Sequence, residues 1–409
     1  MENEVSIDVT IILPSYNRYP LNLLTLYSLE NQKFDLSKME VVLIDDASTD
    51  ETYLLQNYKP PYSFQYIRNK QNEGRSKTRN MGIKAARGKI LIFLDAEVIV
   101  DPQFVKNHYR RHLSNEAYVI TGRNVNHIYS CLYPEFNKDQ LRTFGSILKN
   151  SSKVKSRVRQ ELHPTKFNMN ELPDITVNVS RPIQLLFKED FRSFSDIKLF
   201  SSPMKYYQGM VNLLREDFRL PWISCTTLNH SVQKRFVESI GGFDENFVGH
   251  GLEDFEYGFR LYKSGVKFAY DSDIYAYHQE HPIGSTLKIE GNQNLIYFQQ
   301  KHPCLDIYLL SLTRIGNWDY TFMDNILKEY QSLSQNHPGM FEHFQQAIIA
   351  LLKQIPLLKA EGKPITALLQ ASGMEADENR GNRLLLERNE LEKYGFPNVI
   401  KLFDLLIRL

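Results

Sequence analysis

Cysteine is scarce: Cys131, Cys225 and Cys304 are the three in 409 residues. Three thiols cannot build the disulfide framework of a small secreted domain, and their spacing fits no metal site. A reducing compartment and a cytoplasmic location are therefore expected. Net charge is almost absent as well. Lys and Arg number 49 against 48 for Asp and Glu, so the basic excess of a nucleic-acid binder is missing. No apolar run approaches the ~20 residues that a membrane-spanning helix needs. The N-terminus, MENEVSID, is acidic where a secretory signal would be basic and then apolar. No G-x-G-x-x-G opens the helix after the first apolar run; the chain reads Pro14-Ser15-Tyr16-Asn17 there, which argues against a dinucleotide-dependent oxidoreductase. No internal repeat or low-complexity tract is visible.

What is present is a globular composition, 42% hydrophobic and 24% charged, with enough residues for two or three domains at ~150 each. Short apolar runs at Val9–Leu13, Glu40–Ile44, Phe64–Ile67 and Lys89–Leu94 read as strands buried on both faces. Helical segments fall between them, over Pro20–Glu30, Thr52–Tyr58 and Arg75–Ala86, with Pro102 opening another. Such alternation builds an α/β sheet flanked by helices. In these sheets ligands bind beyond the carboxyl ends of the strands, and polar clusters sit there: Ser15 to Asn17, Asp45-Asp46, and Asp95-Ala96-Glu97. Residues 116–222 read as a polar, Pro-punctuated connection. Residues 223–285 are compact and rich in glycine and aromatics, and the chain from about 286 is helical.

Each cluster has a functional and a structural use. Asp95-x-Glu97 can present two oxygens to a hard cation such as Mg²⁺ or Mn²⁺, or cap a helix. Asp46 can accept hydrogen bonds from a ribose or base, or cap the next segment. Gly74-Arg75, with Lys77 and Arg79, can face phosphate at a helix start, or form a solvated charged face. In GHGLEDFEYG (249–258) a carboxylate can act as general base, or cap the helix that follows. His278 and His281 of YHQEHP can ligate a metal, although a lone histidine is more often a packing residue.

Taken in order, VTIILPSYNR (9–18), VVLIDDASTDET (41–52), NEGRSKTRNMGIKAARGKILIFLDAE (72–97), LNHSVQKRFVESIGGFDENF (228–247), GHGLEDFEYGFRLYKSG (249–265) and AYHQEHP (276–282) resemble the family 2 glycosyltransferases, across roughly residues 7–300. The later segments are most similar to bacterial polysaccharide-type galactosyl- and N-acetylhexosaminyl-transferases. The resemblance implies a GT-A fold, a Rossmann-like mixed sheet flanked by helices, with an α-helical C-terminal region. It implies a nucleotide-sugar-binding half over 1–115, an acceptor-binding and catalytic half over 116–300 and helices over 301–409.

The implied activity is inverting transfer from a nucleotide sugar, a UDP-sugar, to a hydroxyl of a glycan or other acceptor in polysaccharide biosynthesis. Pro14, Tyr16, Asn17 and Asp46 would line the base and ribose. Arg75 and Arg79 would lie near the diphosphate or sugar. Asp95 and Glu97 would form the acidic metal motif for Mn²⁺ or Mg²⁺, with His278 completing it and His281 the other candidate. Asp254 would be the base, set in a flexible stretch that closes over the donor, and Glu253 would hold a sugar. Two features depart from the family pattern: Glu97 stands where Asp is usual, and 116–222 is long. A non-catalytic sugar- or nucleotide-binding module is the alternative, against which the joint presence of Asp95, Glu97 and Asp254 speaks. The C-terminal helices suit packing on the catalytic domain, a homodimer interface or a peripheral membrane contact.

Overall fold

The computed structural model describes residues 6–114, 116–162, 181–203, 214, 217–282, 287–374 and 378–409. The apolar runs become β1 (Val9–Ser15), β2 (Met39–Asp45), β3 (Ser63–Arg68) and β4 (Ile90–Leu94). They pair in parallel in the order β3-β2-β1-β4. Every residue of β2 and β4 is buried, as expected of strands covered on both faces. The helices between them are α1 (Leu21–Glu30) and α2 (Arg75–Ala85). The segment expected to be helical at 52–58 is a 3₁₀ turn, Glu51–Asn57, started by the Asp50 side chain accepting from Thr52 N.

Beyond β4 the sheet turns mixed. β5 (Val98–Val100) is followed by α3 (Phe104–Arg110) and by β6 (Tyr118–Ile128). β7 (Cys131–Leu132) and β8 (Ile183–Gln184) form a separate two-stranded sheet, and β9 (Ser201–Pro203) pairs with β6. With β10 (Asn229–Gln233) and β11 (Lys267–Gln279), the main sheet runs β3-β2-β1-β4-β10-β6-β11-β5. Residues 116–222 are therefore more than a connection. They supply a strand inside the sheet and two helices, α4 (Lys138–Asn150) and α5 (Ser152–Leu162). Phe144, Leu148, Val154 and Val158 of those helices share a buried cluster with Leu21, Leu24 and Ile99. The mixed sheet with flanking helices and a helical C-terminal region is the fold the resemblance implies.

The chain forms two compact units. The first comprises Met1–Leu214, Trp222–Glu245 and Tyr257–Gly284 and contains the whole sheet; the second comprises Arg215–Pro221, Asn246–Glu256 and Ser285–Leu409. After α6 (Lys234–Ser239) comes α7 (Glu253–Lys263), whose first turn belongs to the second unit and whose remainder belongs to the first. In the second unit follow α8 (Leu287–Lys301), α9 (Tyr320–Asn336), α10 (Glu342–Ala360), α11 (Glu378–Tyr394) and α12 (Pro397–Ile407). Along α10, Ile348, Leu351, Leu352 and Ile355 are buried and Ile349 is partly exposed. No helix among the described residues is long and apolar enough to cross a membrane.

A buried histidine layer ties α3 to β10. His108 donates from Nε2 to Asn229 Oδ1 at 2.9 Å and accepts the Ser231 hydroxyl at Nδ1 at 2.8 Å. Ser231 Oγ in turn accepts from His112 Nε2 at 2.7 Å. His230 donates to Thr226 O at 2.8 Å and stacks on Phe93. Burial pushes these imidazoles down, His108 to about 3 and His112 and His230 to about 4. The unfolded chain titrates near the ordinary 6.5, so stability is full above pH 6.5 and is lost as pH falls toward 4. Each group contributes at most ~1.4 kcal/mol per pH unit, so the three together lower stability by up to ~4 kcal/mol per unit. A steep fall in melting temperature between pH 6.5 and 5 is expected in a pH series of thermal melts. A flat series would show that these rings are protonated in the native state.

Candidate active site

The parallel register sets Ser15 beside Asp45, so β1 and β2 end together. Pro14 is half-buried in β1, and Tyr16 just beyond it is 45% exposed. Asn17 turns the chain at φ 51°. Its backbone N–H donates to Ser48 Oγ at 2.9 Å and its Oδ1 accepts Thr49 N at 2.7 Å, which ties the loops after β1 and β2 together.

The two aspartates at the tip of β2 are held from within. Asp45 accepts from Ser48 N at 2.8 Å, Tyr66 OH at 2.6 Å and Arg68 Nη1 at 3.0 Å. Asp46 is 4% exposed and accepts from Asn69 Nδ2 at 2.7 Å, Glu73 N at 2.8 Å and Gly74 N at 3.0 Å. It thus fixes the turn that launches α2, in which Gly74 adopts φ 84°, a conformation that suits glycine. Asp46→Ala would leave these donors unsatisfied, at about 1–3 kcal/mol. A lowered melting temperature is expected together with weaker UDP binding. Weaker UDP binding with an unchanged melting curve would mean that water replaces the carboxylate at no cost.

Arg75 opens α2, while Arg79 is 1% exposed. Arg79 Nη2 donates to Thr227 Oγ1 at 2.6 Å and lies 3.5 Å from Asp95 Oδ1, and the guanidinium sits over the Phe243 ring. This buried cation thus stands beside Asp95 from α2.

Glu97 lies elsewhere. The β11–β5 register pairs His278 with Val98, and Gln279 N donates to Glu97 O at 2.8 Å. That pairing brings Glu97, His278 and His281 together, with one potential ligand atom of each within 4.8 Å of the others. Both histidines of YHQEHP therefore face one carboxylate, and Asp95 stands with Arg79 outside the cluster. Burial pushes the Glu97 carboxyl up, but Arg18, whose Nε is 3.2 Å away, and His281, 3.5 Å away, outweigh it and hold it well below the usual range. Burial pushes the His278 imidazole down, and its buried Nδ1 has no hydrogen-bond partner among the described residues. Two imidazoles gathered around one carboxylate are a donor set that fits a divalent cation. From the other side, Gln140 Nε2 of α4 donates to Glu280 Oε2 at 2.8 Å and to His281 O at 3.0 Å, and Glu280 pairs with His127.

Arg18 has no role in the sequence reading. It lies in the quoted SYNR segment, but only the fold brings it to Glu97.

In the second unit the acidic loop is fastened, contrary to the flexible stretch expected. Gly249, Gly251 and Leu252 all take left-handed φ, at 74°, 104° and 71°. Glu290 Oε2 of α8 accepts His250 N at 2.8 Å, and a Cβ on residue 249 would come within 2.5 Å of that oxygen. Asn294 Nδ2 donates to Val248 O at 3.1 Å and Gly251 O at 2.9 Å. The three carboxylates of α7's first turn differ in setting. Glu253 is buried and accepts Gly251 N at 3.0 Å. Glu256 is fully buried between Lys301 Nζ at 2.8 Å and His302 Nε2 at 3.0 Å. Asp254 is half-buried, and its Oδ1 accepts Phe255 N at 2.9 Å.

The sequence is similar to those of known proteins. A family model described as glycosyl transferase family 2 matches residues 10–193, and one described as glycosyltransferase like family 2 matches residues 171–283. The chain is 27% identical over 331 residues to the glycosyltransferase YfnE of Bacillus subtilis, covering 80% of this chain and 79% of that protein. It is 27% identical over 301 residues to validoxylamine A glucosyltransferase of Streptomyces hygroscopicus subsp. jinggangensis, covering 73% of this chain and 61% of that one. Against the chondroitin synthase of Pasteurella multocida, identity is 27% over 282 residues, 68% of this chain and 25% of that much longer protein.

Proposed function

The chain belongs to glycosyltransferase family 2 and is a glycosyltransferase; from that premise we propose that it transfers a sugar from a UDP-sugar to an acceptor hydroxyl with inversion, assisted by a divalent cation. The observation that carries this reading is the ionised Glu97 carboxylate beside His278, whose Nδ1 lacks a partner among the described residues. The donor lies across the tips of β1, β2 and β4. The exposed Tyr16 ring stacks on the base, Pro14 and Asn17 shape the pocket, and Asp46 and Asp95 keep the surrounding loops in place. Arg75 faces the diphosphate from the start of α2, where a helix N-terminus also favours phosphate.

Glu97, His278 and His281 would hold the cation, and two imidazoles with one carboxylate suit Mn²⁺ better than Mg²⁺, which prefers oxygen ligands. Once bound, such an ion offsets the charge that develops on the departing diphosphate. The chain's own groups carry out the rest. Asp254 accepts the proton of the acceptor hydroxyl as its oxygen bonds to the anomeric carbon and the bond to the diphosphate breaks. Glu253 holds the loop from which Asp254 projects.

The direct test is nucleotide release from a panel of UDP-sugars, with Mn²⁺ and after chelation. Release from one or two of them with Mn²⁺, abolished by EDTA, is the expected result. Full activity in excess EDTA would remove the cation from the proposal.

A further inference from the structure

The second unit contains a cation that no carboxylate among the described residues neutralises. Arg314 lies in the last turn of the 3₁₀ segment Leu309–Ile315 and is half-buried. Among the described residues it has no carboxylate within ion-pairing distance. Its Nη2 donates to the backbone carbonyl of Gly291 at 3.0 Å, and its buried Nε has no hydrogen-bond partner. Burial pushes its pKa down. A guanidinium withdrawn from water without an anion is costly, and removing one partner of a buried pair leaves that cost uncompensated. Such a group normally meets a carboxylate or phosphate through its planar fork of donors.

Its surroundings indicate where the missing anion belongs. The guanidinium lies against the bare face of α8 at Gly291, where a Cβ would stand 3.6 Å from both Nη1 and Nη2. Gly251 of the acidic loop packs on the same glycine, its Cβ position 3.8 Å from Gly291 Cα. Gly251 N is bound by Glu253, the neighbour of Asp254. The unneutralised cation thus shares one helix face with the loop that presents the base. We propose that Arg314 binds an oxyanion, a carboxylate or phosphate, carried by the acceptor, so that the enzyme selects anionic acceptors over neutral ones. This rests on the acceptor being held at the Asp254 loop.

The test uses binding, so it does not depend on turnover. The full-length protein, saturated with UDP and Mn²⁺, is titrated calorimetrically with 4-nitrophenyl β-glucuronide, glucose 6-phosphate and the neutral 4-nitrophenyl β-glucoside. At least one charged probe is expected to bind ~10-fold or more tighter than the glucoside, reflecting a charge-assisted fork. Arg314→Gln should erase that preference, and Arg314→Lys, which keeps the charge and guards against a folding defect, should retain part of it. Equal affinity for charged and neutral probes, no binding of any probe, or a preference that survives Arg314→Gln would overturn the proposal. A tenfold loss of UDP affinity in Arg314→Gln would assign the oxyanion to the donor's diphosphate and overturn it too. Failure of the glycosyltransferase reading itself shows separately, as an absence of nucleotide release from every UDP-sugar in the wild type.

Discussion

Asp254→Asn is expected to keep UDP affinity within a few-fold and to lose at least ~10² in transfer turnover, the usual contribution of a positioned base. The substitution preserves size and the hydrogen bond to Phe255 N while removing basicity. The settings of its neighbours single it out. Glu256 is fully buried and doubly paired with Lys301 and His302, and Glu253 is buried against Gly251. Asp254 is the half-buried one of the three. If Asp254 merely capped α7, the variant would lose about 1 kcal/mol of stability and keep its turnover in the folded fraction. UDP affinity, melting temperature and turnover measured on one preparation decide between the two.

Glu97→Gln is the second large effect. It keeps the shape of the side chain but removes the charge that Arg18 and His281 surround. Transfer turnover is expected to fall by ~10² or more, the scale seen when one preorganised charge-stabilising group is removed. The residual activity of the variant should no longer respond to chelation, because two imidazoles alone hold Mn²⁺ weakly. Wild-type turnover in the variant, still sensitive to EDTA, would place the cation on other residues.

The sequence made the first half of the sheet legible because β1, β2 and β4 are continuous apolar runs ended by Pro, Asp or Gly signals, and burial on both faces leaves no ambiguity about their period. β6 was not legible. Its residues, YVITGRNVNHI, mix Gly, Arg and Asn among the apolar positions, because part of its length borders polar groups such as Asn229 and the His127–Glu280 pair. Asp95-x-Glu97 was visible as a motif, but not the division of contacts between its two acids. That division depends on Arg79 and on the antiparallel pairing of β11 with β5, contacts between segments far apart in the chain. The acidic loop misled for the same reason. Two glycines in a short stretch suggest mobility, yet their left-handed φ values are fixed by Glu290 and Asn294, some 40 residues later.

In the proposed reaction, Glu97, His278 and His281 would hold the divalent cation that meets the donor diphosphate. Calorimetric titration of UDP with and without Mn²⁺, on the wild type and on Glu97→Gln, tests it most directly. Mn²⁺ is predicted to tighten UDP binding at least ~10-fold in the wild type, about 1.4 kcal/mol of coupling, and to leave the variant's affinity nearly unchanged. An equal gain in both proteins, or none in the wild type, would show that these three residues do not couple a cation to UDP.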